Sequence, residues 1–353
     1  MGVKTELTGD WLERFNDVEK FNTYASDNKV NLSDVIIKDK TTTGIILTGA
    51  KFSNTEWEKV DFSNSHITNS VFEDSEFTDV KFKSSTLTDV VFKNCKFTSS
   101  SFSKSKLVNV KFINCDFFST GFFKLSGSKV EFQDVDFEKV DFDRSQAILT
   151  FSGSKFVNTD FTSLTPPSSL TFTKSDLDVD FSRSKIDKLE ITESELHEPG
   201  GGNLTIKELI LKDIKGDRIA FDDSYIKRAT IENTDLWLQG LGFADTQIDD
   251  LLVINSKDRV VLLGGKIGKA RILNSNLRTF YASEATAESI YISGTTIKEG
   301  KFEKLKAKKL EFENVTIDGK MNFKDAQVDQ FINKNTTQTP KAVIDLTGSN
   351  IKF

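Results

Sequence analysis

The chain has 353 residues, among them 31 phenylalanines but only 4 prolines, 2 cysteines and 2 histidines. Its 47 basic and 53 acidic side chains give a formal net charge of −6 and are interleaved at short range. This mixed charge argues against direct nucleic-acid binding, which needs a basic stripe, and is less one-sided than expected of a protein that imitates DNA. No apolar run is long enough to cross a membrane, so we expect no membrane association.

Residues 1–31 fall outside the pattern of the rest of the chain and are predicted to form a helical cap. Asp10 is the expected N-cap, with Glu13 as its capping-box partner, and Trp11 and Phe15 recur at helical spacing. A helix here would cover the open end of a solenoid, whose strand edges need protection; docking of a partner is the alternative. Without a signal peptide and with two cysteines, the predicted location is cytoplasmic.

Residues 32–197 are predicted to form a regular β-solenoid because a large apolar residue returns at every fifth position. From Phe62 to Phe122 the spacing does not slip, and a small or β-branched residue such as Val60 stands two positions earlier. A period of five fits neither an α-helix nor a flat strand. It fits a chain that turns a corner every five residues and points two of the five side chains inward.

A second period, of twenty residues, sets the number of corners in one coil. The large inward residues form one aliphatic and three aromatic columns. These are Leu47, Ile67, Leu87 and Leu107; Phe52, Phe72, Phe92, Phe112 and Phe132; Trp57, Phe77, Phe97, Phe117 and Phe137; and Phe62, Phe82, Phe102, Phe122 and Phe142. Like side chains therefore stack on like, which is typical of a solenoid. The sequence predicts an all-β fold, a quadrilateral parallel β-helix.

With these units in view, the chain resembles the pentapeptide-repeat family, whose unit is a small residue, a polar residue, Leu or Phe, and two polar residues. Val60-Asp61-Phe62-Ser63-Asn64 and Val110-Lys111-Phe112-Ile113-Asn114 fit that unit, with an unusual preference for Phe at its centre. The match is specific over residues 45–142, interrupted to 196 and degenerate beyond. The resemblance implies a right-handed β-helix and a homodimer through the C-terminal end. It also implies a mixed family, in which some members resemble double-stranded DNA and bind type II topoisomerases such as gyrase.

The aliphatic column is interrupted in three successive coils at the same corner, so the departures should lie along one edge. Loops on a rigid scaffold are where binding residues tend to occur, and we predict a partner-binding edge here; relief of packing at a corner is the alternative. The candidate residues are Ser126, Gly127, Ser128, Asp143, Arg144, Gln146, Thr165, Pro166, Pro167 and Ser168. From the resemblance alone, loops that project from the coil matter in topoisomerase-binding members of the family.

Residues 198–334 are predicted to continue the β-helix in a degenerate form. Aliphatic residues replace Phe after the glycine-rich stretch 197–202, while the twenty-residue spacing persists in Ile267, Ala287 and Ala307. We interpret the whole as one continuous solenoid of two kinds of coil. Two domains joined by a hinge at 200–202 is the alternative.

Residues 335–353 are predicted to be a terminal strand or cap. The segments 342–346 and 351–353 have the alternating pattern of a last strand pair. This pair either closes the second end of the solenoid or pairs with a second copy of the chain.

No arrangement of residues predicts a catalytic, cofactor-binding or metal site. His66 precedes an inward residue and should point outward, and His197 lies in the glycine-rich stretch; two isolated histidines make neither a triad nor a zinc site. Cys95 and Cys115 share one inward column and are expected to be reduced core thiols, although their stacking would permit a disulfide. The carboxylates of Asp176–Asp180 alternate along a strand and are expected to face solvent rather than hold Ca²⁺.

Three functions remain open, none of them enzymatic and none with a cofactor. The first is a scaffold that binds an unknown protein partner through the predicted edge. The second, from the resemblance, is a DNA-mimicking modulator of a type II topoisomerase. The third is a purely structural spacer or self-assembling subunit.

Overall fold

The computed structural model describes residues 4–353, without the side chains of 237–239. It divides into two compact units, one that ends at Val179 and one from Asp180 to Phe353. Each unit is a parallel β-helix, so the predicted fold class is confirmed. No helix among the described residues combines the length and the apolar character that crossing a membrane requires.

Two helices precede the coils, α1 (Gly9–Asn16) and α2 (Val18–Asp27). The predicted capping box is wrong: Asp10 lies in the first turn of α1, and the N-cap residue is Thr8, whose side chain makes no cap bond. The helix is also broken at Asp17, whose backbone is extended. The Asp17 carboxylate accepts a hydrogen bond from the Lys20 backbone N–H (3.1 Å) and so starts α2.

The helices cover the first coil of unit 1. Phe15 is 1% exposed and its ring lies 6.0 Å from that of Trp57, so α1 seals the aromatic interior. The Asn22 side chain donates to the Gly44 carbonyl (3.1 Å) and accepts from the Ile46 N–H (2.7 Å). The Asn22 amide thus satisfies two backbone groups at a strand edge, which would otherwise be left to pair with another strand.

Unit 1 stacks short parallel strands at intervals of about twenty residues. On one side they are Thr5–Glu6, Val35–Lys38, Glu56–Glu58, Glu76–Thr78, Lys96–Thr98, Asp116–Phe118, Asp136–Glu138, Lys155–Val157 and Asp176–Leu177. On the other side they are Asn31–Ser33, Ile46–Thr48, Lys51–Ser53, His66–Thr68, Val71–Glu73, Thr86–Thr88, Val91–Lys93, Lys106–Ile113, Ser126–Gln133, Gln146–Ser152 and Ser169–Thr173. Two further short strands are Thr159–Asp160 and, at the division between the units, Val179–Asp180. Leu87 pairs in register with Ile67 and with Leu107, as the column prediction requires.

The corners of unit 1 fall at every fifth residue because that residue adopts the left-handed conformation. Asn64, Asn69, Asp74 and Asp79 have φ between 51° and 59°. Asn and Asp tolerate this region better than other residues that carry a Cβ. Their side chains also bond between coils: Asn94 donates to the Asp74 carboxylate at 2.9 Å.

The small inward residues of unit 1 satisfy the backbone at these corners. The Ser105 hydroxyl donates to the Phe82 carbonyl of the preceding coil (2.6 Å), and the Ser85 hydroxyl does the same for Phe62 (2.7 Å). A polar backbone group inside the apolar coil would be costly without such a partner. This explains why the position two before each large residue is so often serine.

The phenylalanine columns form continuous ring stacks. Phe92 lies 4.9 Å from Phe112 with the planes 4° apart, and its edge meets Phe97 at 5.4 Å and 75°. Phe92 is fully buried. Stacking along a column and edge contacts between columns are the two arrangements that aromatic rings prefer.

Unit 2 keeps the coil length but uses longer strands. On one side they are Glu195–Leu196, Lys215–Ala220, Asp235–Gly242, Arg259–Val261, Asn276–Leu277, Thr279–Tyr281, Thr296–Lys301, Thr316–Asn322, Thr337–Gln338 and Val343–Asp345. On the other side they are Lys185–Thr192, Thr205–Lys212, Tyr225–Glu232, Gln247–Ile254, Lys266–Leu273, Thr286–Ser293, Lys306–Glu313 and Gln327–Lys334. Left-handed corner residues now recur at every tenth position, as in Asn203, Asp213, Asp223 and Asn233. Continuous strands replace every second corner, which is why the five-residue pattern fades.

The stretch 200–202 lies inside unit 2, where Gly200 forms a parallel bridge with Ala220. At the far end, the Asn350 side chain accepts from the Val328 N–H (2.9 Å) and donates to its carbonyl (3.0 Å). The predicted final strand pair is wrong in one member, because residues 351–353 are not a strand. Instead the Phe353 ring packs 5.1 Å from Phe331. The predicted domain boundaries stay a prediction.

Candidate partner-binding surface

The structure stacks the three interrupted segments on one side of unit 1. Ser126 pairs in register with Gln146 and Gly127 with Ala147, and the Thr165 N–H donates to the Ser145 carbonyl (3.1 Å). The departures therefore line one edge. Whether a partner binds there stays a prediction.

Most of the segments are not the loops that the sequence predicted. Ser126 and Gly127 begin the strand Ser126–Gln133, and Gly127 replaces the large aliphatic residue in its column. A Cβ on Gly127 would lie 2.2 Å from the Leu107 carbonyl oxygen, so the backbones approach too closely for any side chain. Arg144, with φ of 57°, is an ordinary left-handed corner.

Only residues 165–168 leave the strand pattern. Thr165, Pro166 and Pro167 are exposed, whereas Ser168 is buried and donates to the Ser145 carbonyl (3.4 Å). The Gln146 side-chain amide donates to the Pro166 carbonyl. This contact holds the proline segment against the neighbouring coil, so the segment is a fixed protrusion.

Next to this protrusion lies an apolar and cationic patch, of which sequence reasoning found Asp143 and Arg144 but missed Phe123 and Ile148. Ile148 points outward and is 44% exposed. The Arg144 guanidinium lies 5.7 Å from the centre of the half-buried Phe123 ring, and its Nε is 3.3 Å from Asp143 Oδ2. Aromatic residues and arginine are enriched at protein interfaces. The sequence signal that could have revealed this patch is Ile148, an aliphatic residue at an outward position of its strand.

These residues, together with the three segments, are called the partner surface below. It continues a face of unit 1 that bears few charges. The outward residues of that face are Ile46, Thr48, His66, Thr68, Thr86, Thr88, Lys106, Val108, Ser126, Ser128, Gln146 and Ile148. Burial of this face therefore removes few ionised groups from water, which lowers the desolvation penalty of binding.

Another face of unit 1 is acidic, although acidic and basic residues are evenly interleaved along the sequence. From Glu56 onward its outward positions carry two cations, Lys96 and Lys155, and eight carboxylates, on Glu56, Glu58, Glu76, Asp116, Asp136, Glu138, Asp176 and Asp178. Two of these carboxylates are also paired with lysines beside the row, Glu58 with Lys38 (3.2 Å) and Glu138 with Lys139 (3.7 Å). Burial raises the pKa of Asp116, the Asp136 carboxylate raises it further, and Lys96 opposes the shift. Phe118, 39% exposed, lies within this acidic face. Register between coils, invisible in the linear sequence, sorts the charges.

The remaining chemical candidates are placed largely as expected. His66 and His197 are exposed. Cys95 and Cys115 are buried free thiols; the Cys95 sulfur lies 3.4 Å from the Phe72 carbonyl oxygen, and burial raises its pKa. Within residues 4–353, no three His, Cys, Asp or Glu side chains are grouped so that they could hold a metal ion.

Comparison with known proteins gives only distant likenesses. A family model described as the SV2A/B/C luminal domain matches residues 39–122, and no curated protein matches. Among solved structures, a trypsin-treated QnrB1, a plasmid-mediated fluoroquinolone resistance protein, is 12% identical over 55% of this chain and 84% of its own, with a TM-score of 0.34. HetL, a pentapeptide-repeat protein of heterocyst differentiation regulation from a Nostoc cyanobacterium, is 14% identical over 56% and 93%, with a TM-score of 0.24.

A mannuronic acid-specific polysaccharide lyase from human gut microbiota covers more of the chain, 87% of it and 86% of its own length, at 11% identity and a TM-score of 0.23. At identities and TM-scores this low, none of these proteins supports an argument about function. The fold itself rests on the strand pairing described above: this chain forms parallel β-helices with coils of about twenty residues.

Proposed function

We propose that this chain is a pentapeptide-repeat protein that acts as a non-enzymatic scaffold and binds a protein partner through the partner surface. The observation that carries the proposal is the combination of exposed Ile148, the Arg144–Phe123 contact and the fixed proline segment on one edge. A rigid apolar and cationic patch loses little conformational entropy on binding. The proposed location is cytoplasmic, and no cofactor is needed.

A capture experiment with paired variants tests this proposal. The test variant is Ile148→Ser/Arg144→Gln, and the matched control is Ile46→Ser, which changes an isoleucine of similar exposure (52%) on the same face. A partner captured from the source lysate by the wild type and the control should be lost by the test variant. The purified partner should then bind the test variant at least about tenfold more weakly than it binds the wild type, as expected when residues at an interface centre are removed.

Two results would contradict the proposal. If the test variant captures the partner as well as the wild type does, the partner does not bind through the partner surface. If Ile46→Ser loses the partner to the same extent as the test variant, binding depends on the whole face. Circular dichroism of each variant distinguishes loss of binding from loss of fold.

The acidic face supports a second candidate, a modulator of a type II topoisomerase that imitates DNA. From Glu56 to Asp176 the eight carboxylates span six coil intervals of about 4.8 Å, or about 29 Å. With Lys96 and Lys155 subtracted, six net negative charges remain, or about one per 4.8 Å, whereas duplex DNA carries one per about 1.7 Å. The lower density makes this the second candidate. Inhibition of DNA gyrase supercoiling that is relieved by Asp116→Asn/Asp136→Asn would support it, and no effect of the wild type would exclude it.

The third function, a structural spacer, predicts association through chain ends. A homodimer through the C-terminal end would cover the edge of the strand Gln327–Lys334, which pairs on one side with Lys306–Glu313. Light scattering at increasing concentration would detect it. A monomer at every concentration would argue against both the dimer and the spacer.

A further inference from the structure

A polar trough runs along one side of unit 2. Its main cavity, of about 570 Å³, is lined by side chains from five successive coils. A second cavity of about 600 Å³ shares Gln247 and Lys266 with the first, so the two are adjacent, and both are included in the trough. Ligand clefts commonly have volumes of this size. All of its lining residues lie between 203 and 329, and none belongs to the partner surface.

The trough exists because two columns lose their bulk. The inward column beneath the trough contains the large Ile248 but then the small Ala287 and Ala307. These two alanines are 8% and 6% exposed and form the floor. In the outer wall, Gly268 has no side chain, and a Cβ there would lie 2.3 Å from the Asp249 carbonyl oxygen. Local packing therefore keeps the notch at Gly268 open.

Every residue of one wall carries a hydrogen-bond donor, although the glutamine amides and the threonine hydroxyl can also accept. Its residues are Gln247, Lys266, Thr286, Lys306 and Gln327, each paired in register with the next. They stand on consecutive coils about 4.8 Å apart. We call this row the donor column; it contains no carboxylate.

In the opposite wall Asp249, Glu288 and Lys308 are engaged within the protein, and the exposed Asp329 lies at one end of the row. Lys308 lies 2.7 Å from Glu288, and the Asp249 carboxylate accepts a hydrogen bond from the Tyr225 hydroxyl (2.6 Å). By contrast, the ammonium groups of Lys266 and Lys306 make no ion pair with any residue in the range 4–353. Two available cations thus stand two coils apart, about 9.6 Å, with the Thr286 hydroxyl between them.

We propose that the trough binds a linear anionic polysaccharide laid along the stacking direction. Acidic groups on the glycan would meet Lys266 and Lys306, and its sugar hydroxyls would meet Thr286. The Gln247 and Gln327 amides each donate one N–H within the protein, to Asp249 and to the Gly348 carbonyl (3.3 Å each), and would offer their second N–H. A pyranose unit in an extended chain advances by roughly the height of one coil, so a repeating polymer stays in step with a repeating wall. The shallow alanine floor leaves room for the rings.

Other linear polymers fit less well. An extended peptide advances about 3.3 Å per residue and presents same-face side chains about 6.6 Å apart, out of step with lysines two coils apart. Single-stranded nucleic acid is usually bound by aromatic platforms under successive bases, whereas the two cavities are lined, among the described residues, by one aromatic side chain, that of Tyr225, whose hydroxyl donates to Asp249. The site is proposed for binding only, since the engaged Glu288 and Asp249 leave no free carboxylate pair at its centre.

Fluorescence anisotropy tests the proposal with labelled oligogalacturonate and with labelled fragments of carrageenan, a linear sulfated glycan, each long enough to cross five coils. The test variant Lys266→Gln/Lys306→Gln should weaken binding at least about tenfold, since two charge-assisted contacts are lost. The variant Lys266→Arg/Lys306→Arg should stay within about threefold of the wild type. The control Lys257→Gln/Lys298→Gln removes the same charge from the other side of unit 2 and should have no effect.

Several outcomes would overturn the proposal. These are no binding of either glycan by the wild type, equal weakening by the control pair, or equally tight binding of monomeric galacturonic acid. Displacement of the glycan by oligothymidylate at equal charge concentration would assign the trough to nucleic acid instead. Because the partner-surface variants leave the trough intact, failure here and failure of the proposed scaffold function are separable.

Discussion

Asp258 provides the sharpest test of the energetics of unit 2, because it is a carboxylate with no exposed surface. Its oxygens accept hydrogen bonds from the Leu236 N–H (2.5 Å) and from the Thr234 hydroxyl. The charged groups nearby are Asp235 and Arg278, which pair with each other at 3.0 Å. Burial raises the pKa of Asp258 to about 6; the two hydrogen bonds and Arg278 oppose this shift, and Asp235 adds to it.

The raised pKa makes unit 2 less stable at high pH. The folded state holds the proton up to about pH 6, whereas the unfolded chain releases it near 3.8. Stability from this group is therefore complete below pH 3.8 and is lost as pH rises through about 6. The difference of about 2.2 pKa units corresponds to about 3 kcal/mol at 1.36 kcal/mol per unit. About 2 kcal/mol of this stability is lost between pH 4.5 and pH 8.

The substitution Asp258→Asn should remove this dependence. The amide keeps an acceptor for the Leu236 N–H, and its nitrogen can donate to the Thr234 hydroxyl, which already lies 2.9 Å from Ser256. At pH 8 the variant should be about 3 kcal/mol more stable than the wild type, and near pH 4 about equal to it.

Native-state hydrogen exchange of peptides from Asp235–Gly242 and Gln247–Ile254 is the suitable assay, because long repeat arrays do not unfold in one step. The control Asp223→Asn changes an exposed corner carboxylate and should leave the pH profile unchanged. A wild-type opening free energy that does not fall with pH, or an Asp258→Asn variant that is less stable at pH 8, would refute the reasoning.

Three further predictions concern packing and the chain end. Gly127→Leu restores the repeat pattern but should destabilise its coil by about 3 kcal/mol, because no Cβ fits against Leu107; increased protection of Ser126–Gln133 in hydrogen exchange would contradict this. Phe92→Ala should cost about 5 kcal/mol, and its loss of protection should be confined to neighbouring coils; an even loss over unit 1 would be inconsistent with additive coils. Asn350→Ala removes two bonds to Val328 and should cost about 2 kcal/mol, seen as faster exchange in that strand alone; unchanged exchange would show that water replaces the amide.

The interior of this protein was accessible to sequence reasoning because inward positions obey a strict period. Phe92 and Leu87 could be assigned to their columns from spacing alone, and a corner at every fifth residue follows from the same period. Each is a local requirement: a corner needs a residue that tolerates positive φ, and a column needs a side chain of a given volume.

The candidate functional surfaces were harder to predict from the sequence, because they depend on which outward residues of neighbouring coils lie side by side. The steps of the donor column are 19, 20, 20 and 21 residues, from Gln247 through Lys266, Thr286 and Lys306 to Gln327. A fixed period of twenty therefore finds Lys266, Thr286 and Lys306 but misses Gln247 and Gln327. The partner edge has the same difficulty, because the register shifts between Gly127 and Val130.

The sequence by itself determined the fold class, the coil length, the buried columns and the corner residues. Each of these repeats locally, and each is enforced by burial or by backbone sterics. Only the tertiary structure decided the break of the cap at Asp17, the strand character of Ser126–Gln133, the acidic face and the trough. At Ser126–Gln133 and along the trough, single-residue insertions and deletions also shift the register, and backbone pairing between coils absorbs them. Exposed side chains such as Ile148 and Lys266 take their neighbours from that pairing and not from their position along the chain.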